Sequence, residues 1–107
     1  MSNKYKVAFT PLAEQDIDSV LEYISENLHN KKAANDMLDK IEKAIENACI
    51  LPYGFPDCKI YFIVDDTIRH VNIDNYVMIY GIDDVNKQIN ILRFRYAKMN
   101  FANIKTR

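Results

Sequence analysis

Pro52 divides this chain into two parts with different hydrophobic periods. Before it, from Pro11 to Leu51, apolar residues recur every three or four positions. After it they alternate, or run together in β-branched and aromatic clusters. A period near 3.6 belongs to helices and a period of 2 to strands. Helices gathered in one stretch and strands in another give an α+β domain.

The helical part carries its own boundaries. Thr10 is placed to cap a first helix, Pro11 to occupy its first position and Glu14 to supply an acid in its first turn. Ala13, Ile17, Val20, Leu21, Ile24 and Leu28 form its apolar stripe, and His29-Asn30 breaks it. A second helix begins near Lys32, with Ala34, Met37, Leu38, Ile41, Ala44, Ile45 and Ala48 inward and Leu51 before the proline. So short a connection makes the pair an antiparallel hairpin.

Pro52-Tyr-Gly-Phe-Pro56-Asp is turn chemistry. Strands are then expected over residues 59–64, 68–73, 76–82 and 89–96, with turns at Asp65-Asp66, Asp74-Asn75 and 83–88. A short strand over residues 5–9 precedes the helices. The order is β-α-α-β-β-β(-β): a helical hairpin packed on one face of a small antiparallel sheet. Residues 1–107 form a single domain, with a core from about 5 to 100 and a tail from 101 to 107.

Several chemistries are excluded by what the residues lack. His29 and His70 fall in separate elements with no ligand spacing around them, which argues against a metal site. Cys49 and Cys58 match neither a zinc spacing nor a redox pair; Cys49 reads as a small buried hydrophobe and Cys58 as a thiol beside a turn. No nucleophile elbow is present, and Gly54 and Gly81 are too few for a phosphate-binding glycine loop. No cofactor is implied. The N-terminus has no apolar signal region, and the apolar stretches fall short of the roughly 20 residues of a membrane span, so a cytoplasmic protein without a membrane partner is expected.

The net charge of −1 is a sum of opposites. Residues 10–28 carry the five acids Glu14, Asp16, Asp18, Glu22 and Glu26 and no base, and these acids read as a solvated helix face. Residues 85–107 carry six bases and no acid. With the strands considered as a sheet, Lys59, Tyr61, Arg69, Arg93, Arg95, Tyr96 and Lys98 form a basic and aromatic group. The two-residue period puts Arg93 and Arg95 on one face about 7 Å apart and leaves Leu92 and Phe94 for the core. Paired guanidinium groups suit phosphate recognition, and a nearby tyrosine can stack on a base or donate its hydroxyl proton. Cations of this kind also serve simply to keep a sheet edge from pairing.

The ordered set of residues resembles the RelE/ParE superfamily of type II toxin–antitoxin toxins. The resemblance lies in Tyr5 to Ala13, Asp16-Ile17, Tyr23-Ile24, Ala33-Ala34, Ile41 to Ile45 and Leu51-Pro52. It continues in Ile68-Arg69, Asn75-Tyr76, Tyr80, Ile82-Asp83 and Ile91 to Phe94, covering residues 5 to about 100. The resemblance implies the same helical hairpin on a sheet, and two possible activities. RelE-like members cleave mRNA on the ribosome by metal-independent 2′-hydroxyl attack, and Arg69, Arg93, Arg95, Tyr96 and Lys98 are then the candidate catalytic residues. ParE-like members inhibit DNA gyrase and are not regarded as nucleases. In the RelE-like pattern an arginine usually follows the tyrosine matched by Tyr76; here the residue is Val77. That departure, with the long hairpin and the Arg93 strand, resembles the ParE branch more.

The resemblance also implies a cognate antitoxin as partner, wrapping the toxin over the hairpin and the basic sheet. Lys59, Arg69, Arg93, Arg95 and Lys98 are the candidate phosphate- or partner-binding residues. A third reading is a repurposed relative that binds its partner without toxicity.

Overall fold

The computed structural model describes residues 4–56 and 66–97. The strand expected over 59–64 lies outside them, as do Lys59, Tyr61, Cys58 and Lys98.

The chain starts with β1 (Lys6–Phe9) and enters α1 (Pro11–Glu22) through Thr10, whose Oγ1 accepts the Ala13 N–H at 3.1 Å. The last turn of this helix widens into a π-helical turn over Tyr23–Asn27, in which the Leu28 N–H reaches back to the Tyr23 carbonyl at 3.2 Å. A wide turn consumes an extra residue and rotates the next side chains out of phase. Leu28 therefore leaves the buried stripe that its spacing from Ile24 suggests and is 56% exposed. His29 takes a left-handed conformation with φ of 51°. The Asn30 side chain then accepts the Ala33 N–H at 2.9 Å and opens α2 (Lys31–Ile50).

After a single 3-10 turn over Pro52–Gly54 come β2 (Ile68–Ile73), β3 (Tyr76–Asp83) and β4 (Gln88–Tyr96). The sheet order is β1-β4-β3-β2, and β2, β3 and β4 run antiparallel in succession. β1 runs parallel to β4, pairing Lys6 with Gln88 through to Phe9 with Ile91, so the sheet is mixed rather than antiparallel throughout. β4 runs the same way as β2, and the helical hairpin is the long crossover that parallel strands need between them.

Both helices pack on one sheet face. Ala13, Ile17, Ile24, Met37, Ile41, Ala44 and Ala48 meet Val71, Ile73, Met78, Tyr80, Ile82, Ile89, Ile91 and Phe94 in one core. Cys49 is buried at its margin with a free thiol, and burial pushes that thiol's pKa up. Tyr80 is wholly buried, and its hydroxyl donates to the Pro52 carbonyl at 2.6 Å, tying the turn to the sheet.

The opposite face carries a smaller apolar cluster of Val77 and Ile79 with Ile68, Leu92 and Ala97 around them. Leu92 joins this cluster and not the helix-facing core with Phe94. The register slips between Ile79 and Tyr80, where β4 contributes an extra residue. A bulge of this kind reverses the side on which the following side chains fall. Ile91 and Phe94 thus face the helices, and Leu92 does not.

Candidate functional site

β1 pairs with only the first part of β4, ending at Phe9 opposite Ile91. Thr10 closes that ladder with its N–H on the Ile91 carbonyl and its hydroxyl on the carbonyls of Ile91 and Leu92. From there α1 takes the place of the strand along the remaining edge of β4. Asp16 is the residue that meets this edge. Its Oδ2 accepts the Phe94 N–H at 3.0 Å and Arg93 Nε at 2.7 Å, and its Oδ1 accepts Arg93 Nη2 at 3.2 Å. One carboxylate thereby satisfies an unpaired strand amide and fixes a guanidinium. Its partial burial would raise its pKa, but the bonds from Arg93 and Phe94 outweigh that and hold the carboxyl below the ordinary range.

Arg93 and Arg95 keep the shared face expected of them, in register with Ile79 and Val77. Their situations differ. Arg93 is committed to Asp16, whereas Arg95 makes no hydrogen bond or ion pair among the described residues. Beside Arg95 a small cleft of about 170 Å³ is lined by Asp16, Ser19, Val20, Tyr76, Phe94 and Tyr96 as well. Tyr76 stacks on Phe94 at 5.3 Å and meets the edge of Tyr96 at 5.5 Å. Burial, with the nearby Tyr23 and Tyr96, raises the Tyr76 pKa. The cleft offers one uncommitted guanidinium and two phenol groups, a set able to grip a carboxylate or phosphate beside an aromatic or apolar group.

Arg69 does not belong to this cluster. It pairs in register with Tyr80, on the helix-bearing face and on the far strand β2. Its Nε donates to the Asp66 carbonyl at 2.7 Å and its Nη1 to the Phe55 carbonyl at 2.9 Å, while its guanidinium lies 4.9 Å from the centre of the Tyr53 ring. These contacts fasten the 3-10 turn to the sheet. Of the candidate residues, then, Arg93, Arg95 and Tyr96 are brought together and Arg69 is held apart. Lys59 and Lys98 lie outside the described residues.

Asp16 is the member of the cluster that sequence reasoning placed on the solvated face. It sits three residues after Ala13 and four before Val20, on the border of the buried stripe, and that border position is the available signal. No local pattern pairs it with Arg93, which lies far along the chain. Val77, at the position where the RelE-like pattern carries an arginine, is 0% exposed within the second apolar cluster. His70 is half-buried on the same face, with its Nδ1 buried and without a hydrogen-bond partner. Among the described residues, no group of His, Cys, Asp and Glu is arranged to hold a metal ion, and no helix is long and apolar enough to cross a membrane.

The sequence profile of the ParE toxin of the type II toxin–antitoxin system parDE matches residues 7–101. The chain belongs to the ParE toxin family. This ParE-family toxin is similar in structure to the chromosomal ParDE toxin–antitoxin system from P. aeruginosa, with a TM-score of 0.67 and 15% identity over 89% of this chain and 98% of that one. It is also similar to the RelBE2 toxin–antitoxin complex from Mycobacterium tuberculosis, with a TM-score of 0.55 and 19% identity over 87% of this chain and 98% of that one. At such identities the likeness is one of fold. No curated protein matches the ParE-family toxin in sequence.

Proposed function

We propose that this type II toxin arrests growth by binding DNA gyrase and not by cleaving RNA, and that a cognate antitoxin neutralises it. The observation that carries the reading is the dispersal of the cations a metal-free nuclease would need. Such a nuclease gathers several positive groups around one phosphate, because pentacovalent phosphorus carries more charge than the ground state. Here Arg93 is spent on Asp16, Arg69 is spent on backbone carbonyls of the other face, and Val77 places a buried methyl group where a third cation would stand. The match to the ParE family supports the same branch.

Purified toxin should block supercoiling by gyrase at near-stoichiometric ratios, and induced cells should lose DNA synthesis before protein synthesis. Unaffected gyrase with early arrest of translation would reject the proposal.

The alternative, a ribosome-dependent mRNA endonuclease, is favoured by one observation: Arg95 stands uncommitted next to Tyr96. It predicts cuts within codons in primer extension on transcripts from induced cells. Absence of any growth defect on induction would point instead to a binding domain without toxicity. Titration against the protein encoded by the adjacent reading frame tests the antitoxin partner, with restored growth as the expected result.

A further inference from the structure

We infer that the outer edge of β1 is a docking site for an extended polypeptide segment with basic residues at alternate positions, which adds to the sheet as a further strand. Three independent features meet there.

The first is the backbone. β1 ends the order of the described sheet. The Lys6 N–H donates to the Lys87 carbonyl and the Thr10 N–H to the Ile91 carbonyl, so the even-numbered residues direct their polar groups to β4. By strand alternation Val7 and Phe9 direct theirs outward. Such a row is a template for another chain.

The second is the apolar floor. Val7 and Phe9 pair with Ile89 and Ile91, which places their side chains on the helix-bearing face, yet they remain 38% and 39% exposed. A groove of about 380 Å³ runs between Phe9 and the α1 residues Glu14, Ile17 and Asp18.

The third is the acidic wall. With Asp16 committed to Arg93, the acids Glu14, Asp18 and Glu22 stand at spacings of four along α1 and meet no base among the described residues. Like charges at this spacing cost a helix about 0.2–0.5 kcal/mol per pair, and no base among the described residues offsets that cost. Lys6 cannot do so, because alternation puts it on the other face of β1.

Together these features define the occupant. Its backbone bonds to Val7 and Phe9. Its residues on the helix side are lysine or arginine, with their stems over the Val7 and Phe9 side chains and their charged ends at Glu14 and Asp18. A second copy of β1 fits poorly. Its helix-side residues would again be valine and phenylalanine, leaving the carboxylates unmatched and bringing two acidic helices together. The inference does not depend on whether gyrase is the target.

The test uses the full-length protein and three synthetic octapeptides: alternating lysine–valine, alternating glutamate–valine, and lysine–valine with every second amide N-methylated. Calorimetric titration should show the lysine–valine peptide binding about tenfold or more tighter than either control. Amide shifts should centre on Val7 and Phe9. The double variant Glu14→Gln with Asp18→Asn should weaken binding about tenfold and flatten its dependence on salt. Val7→Pro, which removes an outward N–H without touching the β4 ladder, should weaken it similarly. Equal binding of the N-methylated or the glutamate peptide would overturn the proposal, and those comparisons leave the protein unaltered. So would a concentration-dependent dimer of the toxin that Val7→Pro dissolves, because the edge would then belong to a second copy.

Discussion

Asp16 and Arg93 stand 77 residues apart in the chain and form a two-point ion pair, with Nε at 2.7 Å and Nη2 at 3.2 Å from the two carboxylate oxygens. The pair locks α1 against the stretch of β4 beyond Ile91, which has no strand neighbour on that side among the described residues. Removing it opens an edge as well as breaking a contact.

Asp16→Ala should therefore destabilise the toxin by about 2 kcal/mol, since it removes charge-assisted hydrogen bonds and leaves a half-buried guanidinium and an edge amide without their acceptor. In a domain of this size that is a fall in Tm of roughly 8 °C. The pH dependence follows from the lowered pKa of Asp16. A depressed carboxyl contributes stability that is present above its unfolded value, near 3.8, and is lost as pH falls through the folded value. Thermal denaturation between pH 7 and pH 2 should show this acid loss in the wild type and a shallower loss in Asp16→Asn. Parallel curves would mean that the pair contributes nothing.

Arg69 and Arg95 should separate stability from function. Arg69 holds the backbone at both Phe55 and Asp66 and stacks on Tyr53. Arg69→Ala should cost about 1.5–3 kcal/mol, by loss of hydrogen bonds from a charged donor. Arg95 bonds to nothing described, so Arg95→Ala should stay within about 0.5 kcal/mol of the parent while reducing growth arrest. Melting curves paired with growth after induction decide the matter. Full toxicity of Arg95→Ala would remove Arg95 from the site.

Much of this architecture is legible in the chain, and the exceptions share a cause. Thr10 and Pro11 announce the first helix because caps are local chemistry, whereas Asn30, read only as a break, caps the second. The spans of β2 and β3 follow from alternation and turn residues for the same reason. The phase of Leu28, the side taken by Leu92 and the direction of β1 all depend on events elsewhere: a widened turn, a bulge, and the path of a crossover. The candidate site divides likewise. The shared face of Arg93 and Arg95 is a matter of period. The capture of Arg93 by Asp16 and the removal of Arg69 to the other face are matters of tertiary packing, which no local pattern encodes.

Tyr53 and Tyr80 should titrate together, well above an ordinary phenol, for different reasons. The hydrogen bond that Tyr53 donates to Asp84 at 2.7 Å, more than its slight desolvation, raises its pKa to about 12. Burial takes Tyr80 to about 12, and its hydroxyl is bonded to the Pro52 carbonyl. Because the folded values are raised, their contribution is complete below the unfolded value near 10 and is lost as pH climbs toward 12. Ultraviolet titration of tyrosinate should show these two groups near 12, with Tyr5 and Tyr76 also displaced above an ordinary phenol. Asp84→Asn should bring Tyr53 back toward 10 and leave Tyr80 in place; movement of both would mean that they do not ionise independently.

Val77 offers the sharpest separation of the two functional readings, because the RelE-like pattern has a cation where this residue is buried against Ile79, with Ile68, Leu92 and Ala97 around it. A guanidinium introduced there has no partner and loses its hydration, which costs about 3 kcal/mol or more. Val77→Arg should therefore express poorly or melt far below the parent, and should gain no RNA cleavage. Primer extension on transcripts from induced cells, run beside thermal denaturation of the purified variant, checks both halves. A stable Val77→Arg protein that cuts mRNA within codons would mean that this face can open to a phosphate, and that the buried valine is what keeps the fold from acting as a nuclease.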